Sequence, residues 1–168
     1  MGQNLLQYTS WHSTTHGGRP PDSHLFFYAA SSQFDRVKLR CGDTIWHVSV
    51  VPPGRGQPPQ LVLCGRLVPE CVTNDQSKVR EWTDGYVYPA KWHALRHKDT
   101  AEPYRAIDID DLSPQLRFES RHDRLRLVDG PPLGQQLQRI RRLTPDSVEL
   151  LSLRWEEHHP PAGATVAK

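Results

Sequence analysis

The sequence predicts an α+β protein: a small mixed β-barrel of five to six short strands with helices packed against its outside. Three observations carry that expectation. Apolar and β-branched runs of strand length recur between residues 5 and 110, separated by Gly, Pro and Asp punctuation. The last third of the chain changes to helical spacing. Only 36% of the residues are hydrophobic, against 15 prolines and 11 glycines, a balance that favours long ordered loops on a compact core over a helical bundle. The chain, at 168 residues, is the size of one domain. That domain is expected over 1–157, with 158–168 as a disordered tail or linker.

In chain order, Leu5 to Trp11 reads as the first strand, followed by a polar Gly/Pro loop over 12–23. His24 to Ala30 is an apolar run of strand length. Phe34, Val37 and Leu39 sit between Arg36, Lys38 and Arg40, an alternation that predicts another strand. Gly42-Asp43 is a turn signal, and Thr44 to Val51 behind it is β-branched and alternating, with Trp46 as barrel core. Residues 52–59 are a loop by composition. Gln60 to Val68 is a strand in which Gly65 marks a bulge or a close backbone approach. Residues 73–100 form a second long loop rich in aromatic rings, and Tyr104 to Asp110 alternates as a strand. Leu133, Leu137 and Ile140 then recur at helical spacing, which leaves Arg141 and Arg142 on the flanks and Arg139 most exposed. Thr144 caps a second helix, with Pro145 at its first position and Asp146 at the positive end of its dipole. Val148, Leu151 and Trp155 make its buried stripe.

Composition narrows the function classes. The three cysteines, Cys41, Cys64 and Cys71, are an odd set without a Cys-x-x-Cys pair, against both a disulfide framework and a zinc ribbon. No apolar run approaches the roughly 18 residues that span a bilayer, and the start lacks the pattern of a signal peptide. The expectation is a cytoplasmic protein with no membrane partner. Net charge is only +2, yet seven arginines lie between Arg117 and Arg142 against three acids. Such a local excess either tracks a phosphate backbone or is a solvated face.

Two stretches place large rings among Gly, Pro and small polar residues: Trp11-His-Ser-Thr-Thr-His-Gly-Gly, and the segment from Arg80 to Trp92. Rings on loops hold flat or cationic ligands; alternatively they fold inward and plug the ends of a barrel. Leu39-Arg-Cys-Gly-Asp-Thr-Ile-Trp46 resembles the Gly-Asp-x-Ile turn of EVE domains, and Trp11-His-Ser-Thr is similar to the Trp-Cys-Ser-Thr segment of YTH domains. The tryptophan-bearing stretch after Asn74-Asp75 falls where YTH domains place a second cage tryptophan. With the Leu-Cys-Gly-Arg-Leu-Val strand and the C-terminal amphipathic helix, these features resemble the PUA-like superfamily, in particular its EVE and YTH branches, over roughly 5–155. The first strand lacks the Tyr-Trp opening of many EVE domains, and the polar inserts at 52–59 and 95–103 have no counterpart.

That resemblance implies a small barrel that binds a modified or flipped nucleobase, without cofactor or metal. Extruding a base costs a few kcal/mol of unstacking, and stacking on aromatic rings returns about 1–3 kcal/mol per base. The expected base-binding residues are Trp11, Trp82, Trp92 and Tyr86, with Tyr88 in reserve, as ring walls, and His12, Ser13 and Asp84 as edge readers. Arg80, Lys91, Arg139, Arg141 and Arg142 are the expected phosphate-binding residues. The function so implied is a non-catalytic reader of methylated DNA, carrying 5-methylcytosine or 6-methyladenine, as the specificity module of a modification-dependent restriction system. It would work with a fused or separate nuclease or AAA+ motor. A modified RNA is the alternative target.

Two other classes stay open. A small metal-dependent hydrolase or nuclease would draw on His12, His16, His93 and His97, or on Asp108, Asp110 and Asp111. The histidine pairs fall outside confident helices, and no His-Glu-x-x-His arrangement occurs. A protein-interaction module would use the Pro-rich segments 52–59 and 158–161.

Overall fold

The computed structural model describes residues 2–10, 24–52, 54–120, 124–126 and 132–158, and these form a mixed α+β fold. Ten strands are found among the described residues: β1 (Asn4–Tyr8), β2 (Leu25–Phe26), β3 (Tyr28–Ala30), β4 (Thr44–Val51), β5 (Gln60–Leu67), β6 (Cys71–Thr73), β7 (His93–Leu95), β8 (Glu102–Pro103), β9 (Ile107–Asp108) and β10 (Arg141–Arg142). Four helices accompany them: α1 (Phe34–Val37), α2 (Gln76–Trp82), α3 (Leu133–Gln136) and α4 (Pro145–His158). The strands pair into a five-stranded sheet of order β10-β1-β4-β5-β9, a three-stranded sheet β3-β7-β6 and a two-stranded sheet β2-β8. No strand pairing joins the three sheets among the described residues.

The five-stranded sheet is covered on both sides. Successive strand residues point to opposite faces, and the cores divide accordingly. Leu6, Trp46, Val48, Leu61 and Leu63 pack with Leu151 and Trp155 of α4 on one face. Leu5, Ile45 and Leu67 pack with Phe26, Ala29, Phe34 and Ala94 on the other. That double cover is why β4 and β5 are buried almost continuously rather than alternately.

Strand β1 runs parallel to β4, in a register that sets Leu5 beside Ile45 and Gln7 beside His47. The Gly42-Asp43 turn fixes this pairing. Gly42 takes φ +85°, which suits glycine, and the buried Asp43 carboxylate accepts from the Gln3 amide (2.9 Å), the Gln3 side chain (2.8 Å) and the Arg40 amide (2.8 Å). The segment entering β1 is thereby tied to the turn entering β4.

Strand β5 carries a bulge. His47 faces Gly65 and Val48 faces Leu63 across the antiparallel β4–β5 pair, so Cys64 is the extra residue. Its carbonyl accepts instead from the Arg105 amide, at 2.9 Å. The bulge also shifts the phase of the strand. Leu61 and Leu63 face α4, while Gly65 and Leu67 face the opposite side with His47 and Ile45.

Three sequence expectations are corrected. The stretch from Phe34 is a helical turn rather than a strand, because Phe34 and Val37 are buried three residues apart and Lys38 then turns left-handed at φ 54°. Residues 73–100 are not one loop. Asp75 caps α2 by accepting from the Ser77 amide, and the three residues of β7 are all buried. In the C-terminal third, α3 ends at Gln136, and Arg141–Arg142 form an edge strand against β1. The helix α4 buries Leu151 and Trp155 of its expected stripe, while Val148 is half-buried and Ser147 is buried in its place, and Ser147 and Thr144 both donate to the Arg117 carbonyl at its start. No helix among the described residues is long and apolar enough to cross a membrane. The tail beyond His158 and the loop 12–23 lie outside the described residues.

Candidate functional site

A cavity of about 790 Å³ opens where the C-terminal end of β1 meets β3 and the loop before β7. One side comes from the five-stranded sheet. Gln7 and His47, neighbours across the parallel β1–β4 pair, lie on the same strand face as Leu5 and Ile45 and are both buried. Polar residues at such positions have to be accounted for by hydrogen bonds. His47 Nδ1 is 3.2 Å from the Tyr104 hydroxyl, and Phe26 packs against both rings, at 5.0 Å from His47 and 4.9 Å from Tyr104. Phe26 fits there because residue 65 is glycine: a Cβ at Gly65 would lie 2.4 Å from the Phe26 ring.

Gln7 is held differently. Its amide nitrogen donates to the Ala30 carbonyl at 3.2 Å, which orients the group, and its oxygen is buried with no partner among the described residues. The cavity therefore carries an unmatched acceptor, in a side chain only 7% exposed.

The opposite side is built on Tyr28. Its hydroxyl accepts from the Tyr88 amide (3.0 Å) and lies 2.9 Å from His93 Nδ1. Burial pushes the Tyr28 phenol up to about 12, so its proton stays on oxygen at neutral pH and is available to His93. Burial also holds the His93 imidazole below its ordinary value, with the Ala90 backbone opposing, which favours the neutral ring that accepts this proton. Through these two bonds the loop Tyr88–Lys91 is pinned at the cavity, with the Tyr88 ring 40% exposed.

The expected site residues distribute unevenly around this cavity. Trp11, His12 and Ser13 lie outside the described residues, but Ser10, directly before Trp11 in the chain, lines it. Lys91 lines the cavity, as does Tyr88. Tyr86 stands behind Tyr28, edge-on at 5.9 Å. Trp82 lies elsewhere, on α2, stacked on His97 at 4.2 Å. Asp84 pairs with Lys98 at 2.5 Å. Trp92 packs against the Phe34–Val37–Leu39 core and borders a separate hollow of about 200 Å³. Arg80 is exposed on the last turn of α2. Arg139, Arg141 and Arg142 gather at another hollow, of about 670 Å³.

The residues raised for metal chemistry have structural partners. Asp108 accepts from Gln60 and Asp110 from the Leu61 amide, while Asp111 forms a two-point pair with Arg154, which holds its carboxyl below the usual carboxylate range. Among the described residues no three His, Cys, Asp or Glu side chains are grouped to share a metal ion. Sequence reasoning does not single out Gln7, Tyr28, His47 and Tyr104 as site residues. Their one legible signal is a Gln and a His inside strands that are otherwise apolar, Leu5-Leu-Gln7 and Ile45-Trp-His47. The chain matches no protein-family model and no curated protein.

Proposed function

We propose that this protein is a non-catalytic reader of a methylated base in nucleic acid, DNA in the first instance, which takes the unstacked base into the cavity between β1, β3 and Tyr88. The PUA-like barrel belongs to the same proposal, as does a role as the recognition part of a restriction system with a separate or fused nuclease or motor. The observation that carries the reading is the buried, oriented and unpartnered Gln7 oxygen in a tyrosine-bordered cavity. A flat heterocycle with an N–H edge supplies what that oxygen lacks. Ligand pockets of roughly 300–1,000 Å³ are the common range, and 790 Å³ holds one base with its sugar at the mouth. Ala29, Ala30 and Ala90 offer small apolar surface where a methyl group is accommodated, and Tyr88 offers a ring to stack on.

The test is a titration of labelled duplexes and single strands that differ only in a 5-methylcytosine, a 6-methyladenine or an unmodified base, with ribose strands as a parallel arm. One modified strand is expected to bind best, and equal affinity for every strand would overturn modified-base recognition. Tyr88→Ala is expected to weaken binding by about 1–3 kcal/mol through the loss of stacking. Gln7→Met, similar in shape but without the acceptor, is expected to cost a comparable amount and to erase part of the preference between bases. Trp82→Ala, on the far side of Tyr28's core, is expected to leave the preference intact.

A further inference from the structure

Arginines from two distant parts of the chain converge on the 670 Å³ hollow: Arg36 from α1, and Arg139, Arg141 and Arg142 from the approach to β10 and from β10 itself. Glu119 and Ser120 border the same hollow, so among the described residues four cations face one acid. Three of the four also hold protein atoms, Arg36 by donating to Gln33 Oε1 at 3.1 Å. Arg141 donates to the Gln136 carbonyl and lies over the Phe118 ring at 4.9 Å, and Arg142 donates to the Val37 carbonyl. Burial, and then the neighbouring Arg139 charge, lowers the Arg141 guanidinium from its ordinary value. Arg36 and Arg139 are exposed, and neither is ion-paired with an acid among the described residues. Like charges gathered this way are stabilised by an anion, and guanidinium groups meet phosphate oxygens two donors at a time.

The hollow is also physically joined to the cavity. Ser31 and Ser32 border the cavity, and Arg36 borders the hollow. Between them Gln33 clamps the two regions, accepting from the Ile140 amide at 3.0 Å and donating to the Gln138 carbonyl at 2.9 Å. The four residue steps from Ser32 to Arg36 span at most about 14 Å. At about 3.4 Å of rise per nucleotide, that is a few nucleotides of backbone.

We propose that the arginine hollow is a second binding site, which grips the phosphodiester backbone of the strand whose base occupies the cavity. The inference rests on the proposed function, and it makes the ligand a strand rather than a free nucleoside. Lys91 at the cavity and the arginines at the hollow then mark two points on one backbone path, with Ser31 to Arg36 between them. Phosphate binding sets position and affinity, and the cavity sets identity.

The test compares wild type with Arg36→Gln/Arg139→Gln, two exposed positions whose neutralisation leaves the Arg141 and Arg142 bonds in place. The probes are a short labelled single strand with the modified base at its centre, and the same modified nucleoside alone. The double variant is expected to lose roughly tenfold or more in strand affinity at low salt. Its salt dependence is expected to become shallower by about 0.7 in log K against log salt for each phosphate that is no longer neutralised. Nucleoside affinity and preference for the modified strand stay at the wild-type level. Unchanged strand affinity and salt slope, with the nucleoside still bound, overturns the phosphate site and leaves the cavity reading standing. Loss of strand affinity without any nucleoside binding in either protein supports the phosphate site and overturns the cavity reading. A wild-type protein that binds neither probe overturns both.

Discussion

At the scale of single residues, His93 and Asp43 make the sharpest predictions. A buried imidazole held below its ordinary value stays neutral in the folded protein while the unfolded chain takes up a proton near pH 6.5. The unfolded state then binds more protons, so the contribution of His93 is fully present above that pH and is lost as pH falls below it. Urea midpoints measured from about pH 7.5 down to about pH 5.5 should decline, and His93→Gln, which keeps an acceptor for the Tyr28 hydroxyl, should flatten the decline. Ligand affinity should follow the same course, because protonated His93 no longer accepts from Tyr28, whose oxygen anchors Tyr88. Asp43 acts on the sheet itself. Asp43→Ala removes three accepted hydrogen bonds to a buried carboxylate, and equilibrium unfolding should register a destabilisation of about 2–3 kcal/mol.

At the scale of elements, the β5 bulge places a glycine under Phe26, and Gly65→Ala brings a methyl against that ring. Overpacking of this kind costs about 1–3 kcal/mol, and because Phe26 supports His47 and Tyr104, nucleoside affinity should fall together with the melting temperature. The elements legible in the sequence are those with strong local chemistry. Strand β4 is β-branched behind a Gly-Asp turn and occupies Thr44–Val51 as expected, while Thr144-Pro-Asp opens α4 where expected. Gly65 sits beside a bulge, as a glycine inside a strand suggests. The elements that depart from expectation are short. Four-residue α1 and seven-residue α2 bury too few side chains to display a period: Phe34 and Val37 in one, Val79 alone in the other. Arg141–Arg142 is a strand only because β1 offers it an edge, information that no local pattern holds.

At the scale of the whole molecule, one sheet separates two tasks. The α4 face is sealed by Trp46, Leu151 and Trp155, and the other carries Gln7 and His47 beside the cavity. Truncating the sealed face should therefore alter stability without altering selectivity. Leu151→Ala is expected to cost about 2–5 kcal/mol in chemical denaturation, while the ratio of affinities for modified and unmodified strands stays unchanged at temperatures where the variant is folded. The cavity is hard to read from sequence for a related reason. Gln7, Tyr28, His47, Tyr88 and Tyr104 come from separate segments that meet only through parallel β1–β4 pairing and the β3–β7 sheet. Tryptophans draw the expectation because they are large and sit among loop-forming residues, yet the described ones at 82 and 92 serve packing.

The single surplus residue in β5 has a consequence for how the chain tolerates insertion and deletion. Before Cys64 the odd-numbered positions, Leu61 and Leu63, belong to the helix side. After it the odd-numbered positions, Gly65 and Leu67, belong to the ligand side. Cys64 thus marks where the numbering, rather than the alternation of faces, slips by one residue. Deleting it would set Gly65 directly after Leu63 in plain alternation, leaving Arg66 near Trp46 and Trp155 and Leu67 in its core, and would remove only the carbonyl that accepts from Arg105.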